Sequence, residues 1–178
     1  SSIVTILALH GGGIEPATTE LAYTIAHCGD YNYFSFKGMR SKGNNELHVT
    51  STHYDDQIAL DLVRDSQRTV AIHGCEGNES VVYIGGSDDR LIELITESLE
   101  DIGISVREAP HHISGTQENN IVNMTQTQGG VQLELTAQLR KELFKNRKSS
   151  RKNRENKDNW DDLMYDFADA MKKAIERA

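Results

Sequence analysis

A histidine and a glutamate stand five residues apart in the run Leu9-His10-Gly11-Gly12-Gly13-Ile14-Glu15-Pro16. Imidazole and carboxylate are ligand types that hold a catalytic zinc when a third protein ligand joins them and one position stays open for water. A third candidate is His73, in Thr69-Val70-Ala71-Ile72-His73-Gly74. Both histidines end an apolar, β-branched run and are followed by glycine, which lets the backbone fold closely around whatever lies at the strand tip. Taken singly, each imidazole reads as well as a structural histidine at a strand end. Glu15, beside Pro16, could merely favour a helix N-terminus through the macrodipole. Taken together, the three offer two nitrogens and one carboxylate. A zinc ion held this way lowers the pKa of its water to roughly 7 and polarises a substrate carbonyl.

Such chemistry also needs a proton acceptor. Gly129-Gly130-Val131-Gln132-Leu133-Glu134-Leu135 reads as a short strand after a glycine pair. Val131, Leu133 and Leu135 share one face, and Gln132 and Glu134 the other. Glu134 is therefore the candidate general base. The alternative is a solvated glutamate on an edge strand.

The elements that must position these residues alternate. Strands are expected at 3–9, 31–36, 47–51, 69–72, 81–84, 104–107 and 131–135. Helical periodicity covers 16–28, with Pro16 in the first turn, then 57–65, 87–102 and 160–178. Ser87 is the expected cap of the third helix. Alternation of this kind predicts an α/β sheet covered on both faces, with its site at the carboxyl ends of the strands. His10 and His73 both fall there. Residues 108–128 are polar and aperiodic, the mark of a functional or loose loop.

The 178 residues suit one domain, 1–178, with a core of its own. No apolar run approaches the roughly 20 residues of a membrane span, and no signal peptide is read in these residues. A net charge of −8 argues against generic nucleic-acid binding. The charge is uneven: eight Lys/Arg and a single acid lie between Arg140 and Arg154, ahead of the helix near 160–178. A solvated helix end and loop is the expected form of that segment. Cys28 and Cys75 form no CxxC and are read as ordinary small residues.

The segments HGGGIEPATTELAY, ELHVTSTHYDD, VAIHG, IGGSDDRLIELI, ENNIVN and GGVQLEL, in that order, resemble the phage-type poly-γ-glutamate hydrolases. The resemblance implies a compact zinc-carboxypeptidase-like fold, here a single three-layer αβα domain with a mixed, mostly parallel sheet. It implies one zinc per chain on His10, Glu15 and His73, with Glu134 as base. It also implies an endo-type cut of the γ-amide bond between glutamate units, the reaction by which phages strip a Bacillus capsule, carried out by a monomer. Chromosomal relatives suggest prophage remnants. The substrate would lie outside the cell, reached by a cytoplasmic or lysis-released protein. Two departures stand out. Met124 follows Asn120-Ile121-Val122-Asn123 where family members carry arginine, and the basic segment is unusually rich.

Every unit of such a polymer carries a free carboxylate, and arginine is the favoured partner because its fork binds carboxylates bidentately. Arg140, then Arg90 and Arg40, are the expected substrate cations. Asn120 and Asn123 could orient an amide or carboxylate, and His53 could shape the cleft, although turn hydrogen bonding explains each as well. His111 and His112 are read as loop residues. The rival readings are a zinc carboxypeptidase or amidohydrolase acting on small N-acyl amino acids or peptides, and a non-catalytic polyanion-binding module. A serine esterase would need a G-x-S-x-G elbow, and none is present.

Overall fold

The computed structural model describes residues 3–178. Six strands form one sheet: β1 (Val4–Gly12), β2 (Asn32–Gly38), β3 (Arg68–Cys75), β4 (Val81–Gly86), β5 (Ser105–Glu108) and β6 (Val131–Thr136). The order is β2-β1-β3-β6-β4-β5. Every pairing is parallel except β4 with β6. The sheet is therefore mixed and mostly parallel, as the family resemblance implies.

Strand period 2 sends alternate side chains to opposite faces. From β1, Val4, Ile6 and Ala8 enter a large core, while Leu7 and Leu9 enter a second one. The first core packs α1 (Thr18–Gly29), α3 (Asp89–Asp101) and α6 (Asp162–Arg177) on one face. The second packs α2 (Gln57–Arg64) with the turn at Ile121–Asn123 on the other. Two short helices, α4 (Ala137–Glu142) and α5 (Arg151–Arg154), sit within the basic segment. That segment is not simply a solvated loop. Arg154 is buried against Glu20 at 3.4 Å.

Several boundaries differ from expectation for identifiable reasons. No strand forms at 47–51. A 3-10 turn at Asn44–Leu47 leads instead into a loop whose carbonyls serve other partners, Val49 accepting from His10 Nε2 and Ser51 from the Ile121 N–H. Helix α1 begins at Thr18, two residues beyond Pro16, because Ala17 takes a left-handed conformation with φ 84°. Asp88, not Ser87, caps α3 by accepting from the Leu91 N–H. Strand β6 lies between β3 and β4, so Glu134 is not an edge residue, and all of β6 is buried.

Candidate active site

β1 ends at the glycine run, and the chain doubles back at once. Gly12 sits at φ +61°, where a Cβ would lie 2.5 Å from the Gly38 carbonyl oxygen, so only glycine fits. The Gly13 N–H donates to Gly38 O at 2.8 Å, and the Glu15 N–H donates back to His10 O at 2.8 Å. This tight return sets the Glu15 carboxylate beside the His10 ring, with Oε1 3.1 Å from Nδ1. β3 runs parallel beside β1 and delivers His73, whose Nδ1 is 3.1 Å from His10 Nδ1 and 3.4 Å from Glu15 Oε1. The Gly74 N–H donates to the same Oε1 at 3.1 Å and fixes the carboxylate.

His10 Nε2 lies 2.7 Å from Val49 O. A carbonyl only accepts, so Nε2 carries the proton of the neutral ring and Nδ1 turns a lone pair inward. That lone pair faces a carboxylate oxygen and a second imidazole nitrogen. Three acceptor-capable atoms this close repel one another unless a proton or a cation lies among them. Without a metal, the proton on His73 Nδ1 serves. Burial alone would push the His73 pKa down, but the Glu15 hydrogen bond and the charges of Glu134 and Glu15 outweigh it and raise it. Burial also opposes ionisation of Glu15, yet the two histidines hold its pKa far below the ordinary carboxylate range.

The donor set fits a zinc ion. Ligand atoms about 2.0–2.1 Å from zinc at tetrahedral angles stand about 3.3–3.4 Å apart. The three separations here are 3.1, 3.1 and 3.4 Å. A backbone carbonyl on the outer nitrogen of a liganding histidine is the usual support of such a site.

Glu134 is the Cα partner of His73 across the β3–β6 ladder, and its side chain lines the same cleft. Burial pushes its pKa up to about 7, against the lowering charges of His73 and Arg140 and with a further rise from Glu15. A carboxyl poised near neutrality is suited to taking a proton from water and returning it. Gln132, two residues before it on the same face, donates to it at 3.4 Å.

These groups form part of the lining of a cleft of about 500 Å³. Asn120 and His53 line it as well. The three candidate arginines do not. Arg140 is turned away, its guanidinium donating to the carbonyls of Leu135, Pro16 and Cys75 at 3.1, 3.1 and 2.9 Å. Arg40 is exposed and paired with Glu46 at 2.7 Å. Arg90 is exposed on α3. Asn123 is buried in backbone contacts, donating to Gly115 O and Gln117 O and accepting from the Gly130 N–H. Met124, which occupies the position of the expected arginine, packs on the second core.

One neighbour of the cage was not anticipated as such. His48 stacks on His10 with ring centroids 3.8 Å apart, and its Nε2 is 3.9 Å from Glu15 Oε2. His10, Glu15 and His48 also lie close enough to share an ion. Its only sequence signal was its place in the family-like segment ELHVTSTHYDD.

The family of this chain follows from comparison. The model of the poly-gamma-glutamate hydrolase family matches residues 1–170, and the chain belongs to that family. It is 39% identical to the SPbeta prophage-derived UPF0714 protein YoqZ of Bacillus subtilis (strain 168) over 143 residues, 79% of this chain and 52% of that protein. UPF0714 protein YndL of the same organism is 34% identical over 145 residues, 80% of this chain and 57% of YndL. The chain thus spans little more than half the length of these curated relatives. Among solved structures, a bacteriophage poly-gamma-glutamate hydrolase superposes with a TM-score of 0.93 at 32% identity, covering 98% of this chain and 83% of that one. A zinc-free, apo form of YndL gives 0.91 at 31% identity, covering 98% and 85%.

Proposed function

We propose that this chain is a zinc-dependent hydrolase that cuts γ-glutamyl amide bonds within poly-γ-glutamate. In this reading His10, Glu15 and His73 hold the zinc, and Glu134 is the general base. The observation that carries it is the convergence of those three donor atoms, within 3.4 Å of one another, beside a buried carboxylate in a member of this family. The zinc-free label on the YndL structure supports the choice of metal.

Zinc in such a cage supplies Lewis acidity and makes water nucleophilic near neutral pH. Glu134 accepts the proton of the attacking water and passes it to the nitrogen of the departing amine. Val49 O and the Gly74 N–H keep His10 and Glu15 in register throughout. All of these groups come from one chain, so a monomer suffices. The phage and prophage labels on the relatives agree with capsule degradation as the setting.

The test is incubation of the zinc-loaded protein with purified poly-γ-glutamate while following molecular weight. Rapid shortening that stops with a chelator and returns with added zinc is expected. Release of monomers before any shortening would overturn the internal cut, and full activity in chelator would overturn the role of the metal.

A further inference from the structure

The proposed substrate is a polyanion, yet no lysine or arginine lines the cleft. Five histidines do: His10 and His73 of the cage, His48 stacked on it, and His53 and His112 beyond it. The last two come from loops that follow the strands at the two ends of the sheet order. His53 belongs to the loop that follows β2 and is tied to β1 through Val49. His112 belongs to the 3-10 turn at His111–Ile113 after β5, at the far end of the sheet order. That turn is anchored to the cleft floor, because Gln132 donates to Ile113 O and the Gly86 N–H donates to Ser114 O. The floor between these loops is built by β1, β3 and β6, which carry the cage and Glu134.

Both outer histidines are exposed, and among the described residues neither ring is paired with any side chain. Each presents a ring N–H donor to the cleft from a hydrogen-bonded turn. In a γ-linked glutamate chain a carboxylate flanks the scissile amide on each side. One is on the carbon bearing the leaving nitrogen, and the other is on the carbon three bonds from the carbonyl carbon. A strand laid across the floor therefore offers one carboxylate toward each loop.

We propose that His53 and His112 are the carboxylate-binding residues of this cleft, one on each side of the scissile bond, in place of the arginines that such a substrate would ordinarily meet. This rests on the reading of the substrate given above. Imidazoles grip carboxylates less tightly than guanidinium forks do. A weaker grip at each unit suits an enzyme that must release and rebind a repeating polymer.

The test uses a fluorescent γ-glutamate oligomer and the full chain carrying Glu134→Gln, so that binding is read without turnover. In that background His53→Ala and His112→Ala should each weaken binding about threefold to tenfold, as expected for exposed charge-assisted contacts. The double variant should lose more, and His53→Arg or His112→Arg should restore or tighten binding. The effect should vanish for an oligomer whose α-carboxylates are methyl esters. Alanine variants that bind as tightly as their parent, with circular dichroism unchanged, would overturn the assignment. If the Glu134→Gln chain does not bind the oligomer and the unaltered chain does not cut the polymer, the substrate reading fails and this assignment with it.

Discussion

His10 Nε2 meets the carbonyl oxygen of Val49 at 2.7 Å, and this one bond links a strand tip to a loop 39 residues further along the chain. It fixes the tautomer of His10 and so aims Nδ1 at Glu15 and His73. It also holds His48, the neighbour of Val49, over the His10 ring. The order of the loop and the readiness of the cage are therefore coupled.

Because a proton on His73 occupies the metal-free cage, protons and zinc compete for it. The folded chain raises the pKa of that ring, so zinc affinity should rise with pH. Calorimetric titration with zinc at a series of pH values reads this. An affinity that does not change with pH would contradict the assignment.

Glu134→Gln should keep its zinc and lose turnover by roughly 100-fold to 10,000-fold, the range for a general base. Its effect on stability is separable. In the metal-free chain the Glu134 pKa lies at about 7 against 4.5 for an ordinary glutamate, so the folded state holds the proton more tightly. That preference is fully present below 4.5 and is lost as pH rises through about 7, a difference of about 3 kcal/mol at most. The metal-free variant should therefore gain stability relative to the parent as pH rises from about 4.5 to about 7, in urea unfolding at a series of pH values. A gap that does not change with pH would show that the carboxyl is not held neutral by burial.

Arg140→Met should destabilise the fold by about 2 kcal/mol or more, since three carbonyls from Pro16, Cys75 and Leu135 lose their donor together. Arg140→Lys should recover little, because an ammonium cannot reproduce the fork. Denaturant midpoints test both. Since two of those carbonyls flank the Glu15 and His73 segments, zinc affinity should fall in parallel.

How much of this was legible beforehand varied with the physics. His10, Glu15, His73 and Glu134 stood out because strand patterning and glycine punctuation are local signals, and all four line the cleft. Arg140 looked like a substrate cation because charge is visible in a sequence, whereas two of the three carbonyls that absorb it, those of Pro16 and Cys75, come from segments distant in the chain. The 47–51 stretch had strand composition, but its backbone is used by His10 and Ile121 instead of a ladder. His48 and His112 were passed over because only the folded loops bring them to the cleft.

Gly12→Ala should lower both stability and zinc affinity. The added methyl meets Gly38 O at 2.5 Å in a left-handed backbone, and relief requires opening the turn that returns Glu15 to His10. A loss of about 1–3 kcal/mol is expected for such strain. Thermal melting and zinc titration of the same sample test this, and an effect on one without the other would uncouple the turn from the cage.

Anomalous diffraction at the zinc edge, from crystals grown with equimolar zinc, is the most direct measurement of the central claim. A single strong peak within bonding distance of a His10 nitrogen, a His73 nitrogen and the Glu15 carboxylate, facing Glu134 across the cleft, is the predicted result. A peak held elsewhere on the chain, or none at that site, would contradict it.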